Sequence, residues 1–181
     1  MPLFIIEIAG CFMFLFLEVF LAWVYSHLLE YVLHRFFLHN PKRKLLFRSH
    51  FGDHHKESRK SDMVDSKYVM KLNIFGDPEL KGLVLLAILH LPVSYFFPVA
   101  YVTLVVSSIS YAILHYRSHQ DIYWARNNLP WHYDHHMGPN QNANWGVRSD
   151  IFDIIFGTRK EYKGTRKEII RHQLIKMQHE K

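Results

Sequence analysis

Ten of the fourteen histidines in this chain fall into four groups. They are His34 and His39 in HRFFLH; His50, His54 and His55 in HFGDHH; His115 and His119 in HYRSH; and His132, His135 and His136 in HYDHH. Neutral imidazole is the commonest protein metal ligand. Positions i, i+3 and i+4 of a helix share a face, so each group can aim its rings at a common point. Ten nitrogen donors suffice for two metals with four or five ligands each. A structural zinc would use only four ligands and leave no open position. Ten beside apolar segments suggest a dinuclear centre that handles dioxygen and a lipid. Ligand type does not choose among zinc, copper, iron and nickel, but iron suits oxygen chemistry because it cycles redox states and zinc does not. The one cysteine, Cys11, lies in an apolar stretch, which excludes an intrachain disulfide and a thiolate zinc site of the usual kind.

The elements that must position these groups read as membrane helices. Residues 3–29 are almost wholly apolar, and about 20 such residues cross a hydrocarbon core. The opening lacks the basic region and small-residue cleavage site of a signal peptide. Glu7 suits an interface; Glu18 lies mid-span and must face the protein interior or be protonated. No proline interrupts residues 11–39, and Pro41 is a natural stop. The first helix therefore carries His34 and His39 out of the bilayer. Residues 42–71 are polar, and His50 and His54 are spaced for a helix despite Gly52. Asn73–Pro78 reads as a turn.

From Gly82 to Leu114 the chain is apolar again, broken by Pro92 and Pro98. One span there would put the two histidine sets on opposite sides of the membrane. Two short spans, 82–97 and 98–114, meeting near Tyr95–Pro98, put both on one side at roughly 25 Å each. The expected fold is all-α and integral to the membrane. It is a single multi-pass domain over 1–181 with about three transmembrane helices and a cytosolic helical cap built from 34–55 and 115–136. Residues 159–181 form a charged tail with an amphipathic KEIIRHQLIKM, and His172 and His179 read as solvated.

The formal net charge of +6 does not point to nucleic acid, because the basic residues form no single binding face. Lys42, Arg43, Lys44 and Arg48 directly follow the first apolar segment. Such residues mark the cytoplasmic side and touch anionic headgroups. That side is the cytoplasm whether the membrane is a bacterial inner membrane or the endoplasmic reticulum.

The four histidine groups, in this order and spacing, resemble the boxes of the membrane-bound fatty acid hydroxylase superfamily. That superfamily includes sterol desaturases, sphingolipid fatty acid 2-hydroxylases and carotene hydroxylases. EYVLHRFFLH, Glu30 to His39, is similar to the first box of the 2-hydroxylase branch. A trailing pattern also matches: Asn144-Trp145-Gly146-Val147, Phe152-Asp153 and Phe156-Gly157-Thr158. The resemblance covers roughly 30–158. It implies an oxidoreductase with two iron ions, for which zinc could substitute in a purified sample, held by the ten box histidines. It implies dioxygen and a lipid as substrates, hydroxylation of an acyl or related chain, and electrons from a separate cytochrome- or ferredoxin-type donor with its reductase. No fused haem donor is expected within these 181 residues.

Asn144 and Asp153 are expected behind the ligands or in packing, and Asp53 and Asp134 either orient imidazoles or are solvated. His27 and His90 read as polar residues facing the helix bundle. Trp124, Trp131 and Tyr133 suit an interfacial belt. A sterol-type desaturase or carotenoid hydroxylase is the nearest rival. A metal-handling membrane protein without enzyme activity is the rival of another class, although a carrier would place its ligands within the spans.

Overall fold

A computed structural model describes residues 2–66 and 77–179, with side chains for 7–66 and 77–173. The described residues are helical, with no strand among them. The chain divides into two compact units, Met1–Leu29 with Lys71–Ala112 and Glu30–Met70 with Ile113–Lys181.

Helix α1, Pro2–Leu33, runs without a break into a π-helix, His34–Leu38, and the chain turns at Pro41 as its sequence requires. Glu7–Leu38 is long and apolar enough to cross a membrane, and so is the helix Pro98–Ser118. Few residues of either are buried, so neither is the core helix of a soluble fold. Short helix α2, Lys44–Phe47, a second π-helix, Arg48–His55, and α3, Lys56–Lys60, follow one another directly. Gly52 is accommodated inside the second π-helix.

The turn expected at Asn73–Pro78 lies outside the described residues except for its end. There the Asp77 carboxylate accepts the Glu79 N–H at 2.8 Å and Pro78 opens α4, Pro78–Leu89, the usual chemistry of a helix start. α4 stops at His90, and α5 is only Leu91–Phe96. Phe97 leaves the helical conformation, with φ −140° and ψ 70°, in keeping with the exclusion of the α region before a proline. Pro98 then opens α6, Pro98–Ser118. The expected 82–97 segment is therefore two short helices rather than one.

Within the first unit the polar residues of the apolar helices find partners. Glu18 Oε1 accepts the Ala100 N–H at 2.7 Å. The His90 ring donates from Nδ1 to Leu86 O at 2.7 Å and meets the Tyr25 hydroxyl through Nε2 at 3.0 Å. His27 Nδ1 donates to Trp23 O of its own helix at 3.0 Å. His90 thus faces another helix of its unit, whereas the His27 ring bonds within its own helix.

In the second unit α7, Ile122–Asn128, is capped by Asp121, α8, Pro130–Met137, opens on Pro130, and α9, Ile151–Ile155, and α10, Arg166–His179, close the chain. Its apolar core is Met63, Ala125, Tyr133, Met137 and Tyr162, with Ile122 packed against it. Tyr133 is fully buried and donates to Glu168 Oε1 at 2.8 Å, which corrects its expected place in an interfacial belt. Trp124 and Trp131 are half-buried, and Trp131 Nε1 donates to Val147 O. The tail is not a free surface helix: Glu168 is buried and holds Arg126 through both carboxylate oxygens, at 2.7 and 3.0 Å. His172 is exposed as expected, and the His179 side chain lies outside those described.

Candidate metal centre

The first two histidine groups depend on the π-helices. In an α-helix residues five apart diverge, whereas the wider π turn, with its i to i+5 hydrogen bond, returns them to one face. The His39 N–H donates to His34 O at 3.1 Å, a five-residue bond. His34 and His39 thus share a face, and so do His50 and His55 across the second π-helix. The spacing that matters in both groups is five, not the three or four of an ordinary helix.

The ten histidines converge on two points within the second unit. His34, His39, His50, His55 and His135 form one cluster, and His54, His115, His119 and His136 form another, with the facing nitrogens of each within 4.8 Å of one another. His132 joins the second cluster, its Nε2 lying 3.2 Å from that of His119. All ten rings are buried.

In the first cluster the Nε2 atoms of His34 and His50 are 2.9 Å apart, those of His39 and His55 3.1 Å, and those of His135 and His55 3.0 Å. In the second, His119 and His115 are 3.2 Å apart. Metal–nitrogen bonds of about 2.1 Å put neighbouring ligand atoms about 3.0 Å apart in an octahedron and about 3.4 Å in a tetrahedron. The nitrogens sit at these edge lengths. Buried His136 has no hydrogen-bond partner at either ring nitrogen, an arrangement a buried polar group does not adopt without another ligand. The donor set therefore fits two metal ions.

The electrostatics agree. Burial holds the pKa values of His34, His50, His54, His55, His119, His132, His135 and His136 well below the ordinary imidazole value, with neighbouring rings adding to the effect. Burial lowers that of His39 to about 4. These rings are neutral at physiological pH, the form that binds metal.

Adjacent residues serve different clusters. His54 faces one centre and His55 the other, and the same holds for His136 and His135. Consecutive side chains on a helix point in different directions, so each His-His pair straddles the two centres. The first cluster takes four rings from the first half of the sequence and one from the second. The other takes His54 from the first half and the rest from the second. Neither half makes a site alone.

Each cluster has its own bracket gripping the second ring nitrogens, the contacts that fix tautomer and orientation in metal sites. For the five-histidine cluster the bracket is the loop after α8. His135 Nδ1 donates to Ala143 O and His34 Nδ1 to Trp145 O, each at 2.6 Å, and the Gln141 amide lies 3.0 Å from His55 Nδ1. Between the two carbonyls Asn144 has φ +61°. Asn tolerates this conformation better than other non-glycine residues. The Asn144 side chain is held by Lys160 N and O at 2.7 and 2.8 Å. Asp153 accepts the Trp145 and Gly146 N–H groups at 2.8 and 2.9 Å. Glu30 accepts the Val147 and Arg148 N–H groups and pairs with the Arg148 guanidinium. At Gly146 a Cβ would lie 1.8 Å from Ser149 O. Asn144 and Asp153 therefore shape the loop that presents the carbonyls.

For the other cluster the bracket is the turn after α3. His54 Nδ1 donates to the buried Asp65 carboxylate at 3.1 Å, and His119 Nδ1 to Met63 O at 2.8 Å. The Asp65 N–H donates to His119 O at 3.0 Å. Asp62 and Met63 both have positive φ. Asp53 is exposed; the carboxylate that reaches an imidazole is Asp65. Buried Asp134 binds Lys163 N at 2.7 Å and pairs with Arg159 at 2.8 Å, away from the rings. Asp65 could have been sought as an acid shortly after the HFGDHH group. The carbonyls of Met63, Ala143 and Trp145 carry no side-chain signal.

A family model described as fatty acid hydroxylase matches residues 19–158, a segment that includes all ten histidines and ends at Thr158. No curated protein and no solved structure matches the chain.

Proposed function

Since the chain belongs to the fatty acid hydroxylase family, we propose that it is a membrane-bound, dioxygen-dependent di-iron enzyme that hydroxylates a fatty acyl or related lipid chain. The observation that carries this reading is the convergence of ten buried imidazoles on two adjacent points at metal-edge spacing. The five-histidine cluster holds one ion, and His54, His115, His119, His132 and His136 hold the other. When bound, two iron ions supply the redox chemistry by which dioxygen attacks an unactivated C–H bond.

The chain's own residues do the rest. Asp65, Met63 O, Ala143 O and Trp145 O each keep the Nδ1 proton in place and leave Nε2 free to face the centre. Burial of every ring excludes bulk water, which protects a reactive centre from side reactions. In this reading the apolar helices lie in the bilayer, and the basic residues after Pro41 support a cytoplasmic side for the centre. There a separate donor protein, cytochrome- or ferredoxin-type with its reductase, supplies electrons.

Comparative lipid mass spectrometry of cells with and without the chain tests the reading. The expected outcome is a lipid whose mass rises by one oxygen, only in the presence of the chain and of dioxygen. A product lacking two hydrogens would make it a desaturase. Purified chain with two irons and no altered lipid would favour a metal-handling protein.

A further inference from the structure

Within the first unit, burial along α1 begins abruptly at Glu18. Glu18, Ala22 and Ser26, spaced four apart, are buried, whereas every residue from Glu7 to Leu17 is exposed, on all faces of the helix. That bare stretch includes Phe12, Met13, Phe14 and Phe16. The partners of α1 show where the α4–α6 hairpin ends. Tyr25 meets His90 at the end of α4, and Glu18 meets Ala100 at the start of α6. The Tyr101 hydroxyl reaches back to Ala87 O at 3.3 Å. The hairpin tip between His90 and Pro98 thus ends about level with Glu18, and α1 continues past it.

Eleven residues from Glu7 to Leu17, at about 1.5 Å each, make about 16 Å of bare helix beyond the tip. A helix apolar on every face belongs in hydrocarbon. Were the tip at the far surface of the bilayer, this stretch would stand in water. The apolar run Ile8–Leu29 is about 33 Å long, close to a hydrocarbon core of about 30 Å, and Glu18 falls near its middle. The arms agree: Gly82–Phe96, at about 22 Å, is too short to cross, and α6, although long enough in itself, starts level with Glu18 rather than at the far end of α1.

A helix that begins inside a bilayer needs partners for its first N–H groups, because hydrocarbon offers none. At α6 Pro98 has no N–H, and Glu18 Oε1 takes that of Ala100 at 2.7 Å. A carboxylate there also faces the positive end of the helix dipole. The acid that looks out of place in a membrane span is the cap that allows α6 to start there.

We propose that the α4–α6 hairpin is re-entrant. It enters and leaves one leaflet from the same side, with Tyr95 and Phe96 at its tip among lipid acyl chains, and α1 alone crosses the membrane. This replaces two of the three spans that the sequence suggests, and it rests on the reading of the chain as an integral membrane protein.

Single cysteines in a Cys11→Ser background, probed in sealed vesicles of both orientations with a membrane-impermeant maleimide, test it. Glu7→Cys should label from one side, Lys60→Cys from the other, and Tyr95→Cys from neither until detergent is added. Labelling of Tyr95→Cys from the same side as Glu7→Cys would mean that the hairpin crosses, and the proposal would fall. A second measurement does not depend on labelling. Fluorescence of Phe96→Trp, taken as the difference from the parent chain in brominated-lipid bilayers, should be quenched most by bromines far down the acyl chain. Strongest quenching by bromines beside the headgroups would overturn the proposal. Release of the chain from membranes by alkaline carbonate would sink the membrane reading itself, a result separable from either of these.

Discussion

The rings of His55 and His136 stack nearly parallel, 22° apart with centroids at 4.1 Å, although they face different clusters. The two centres therefore touch, and their contact is made by histidines from opposite halves of the sequence. The partition of adjacent histidines between centres makes the clusters separable by mutation.

His136→Ala removes a donor from the cluster of His54, His115, His119, His132 and His136 and leaves all five of the other in place. Metal analysis of the purified variant should find about one ion per chain where the parent holds about two. His135→Ala should weaken the other cluster. Loss of both ions on His136→Ala would contradict the partition.

Asp65→Ala removes the acceptor that orients His54, and affinity for the second ion should fall by about 10- to 100-fold. Asp53→Ala removes an exposed carboxylate one residue before His54 and should change nothing. Competition with a chromogenic chelator, run on both variants, gives the comparison directly. Equal effects would remove Asp65 from its role.

Acid should unfold the metal-free chain early. Nine of the cluster histidines, His34, His39, His50, His54, His55, His119, His132, His135 and His136, have folded-state pKa values below those of the unfolded chain, that of His39 at about 4. The unfolded chain therefore binds more protons, and stability falls as pH drops from about 6.5 towards 4. His39 alone contributes roughly 3 kcal/mol across that window. Thermal melts of metal-free protein at pH 7.5 and pH 5 should show a marked fall in Tm, and bound metal should reduce it. An unchanged Tm would mean the rings are not buried and neutral.

Glu168 ties the tail to α7 and α8, and the Arg126 guanidinium beside it pulls its pKa down to about 2. The sign is that of a depressed carboxylate: its stabilisation is full above about pH 4.5 and is lost as pH falls towards 2. Glu168→Gln keeps the shape and loses the charge-assisted bonds to Arg126, which should cost on the order of 2 kcal/mol at neutral pH. Denaturation in detergent at pH 7 measures it, and no loss would show that the tail docks through its apolar contacts alone.

Much of this protein could be read from its sequence. The histidines declare themselves by number and grouping, and the apolar runs declare the helices, because membrane segments depend on composition and length more than on long-range contacts. The run to Pro41 and the Asp77-Pro78 start are local rules that held. The trailing Asn144 and Asp153 were visible as residues, but their work in bending a loop so that two carbonyls face inward was not.

What only the tertiary structure decided is which histidine joins which centre. An α-helical reading groups His50 with His54, whereas the π-helix groups His50 with His55 and sends His54 to the opposite cluster. Backbone winding follows from the packing of both halves around the centre, and a five-residue spacing carries no signal when the wider turn is not foreseen. The depth of the hairpin is similar. Apolar composition suggests lipid for α4–α6, but in the proposed arrangement the pairing of Glu18 with Ala100 and of Tyr25 with His90 sets how far it reaches. The histidine count and the apolar runs are properties of the sequence itself; the division into two centres and the depth of the hairpin are set by contacts between residues far apart in it.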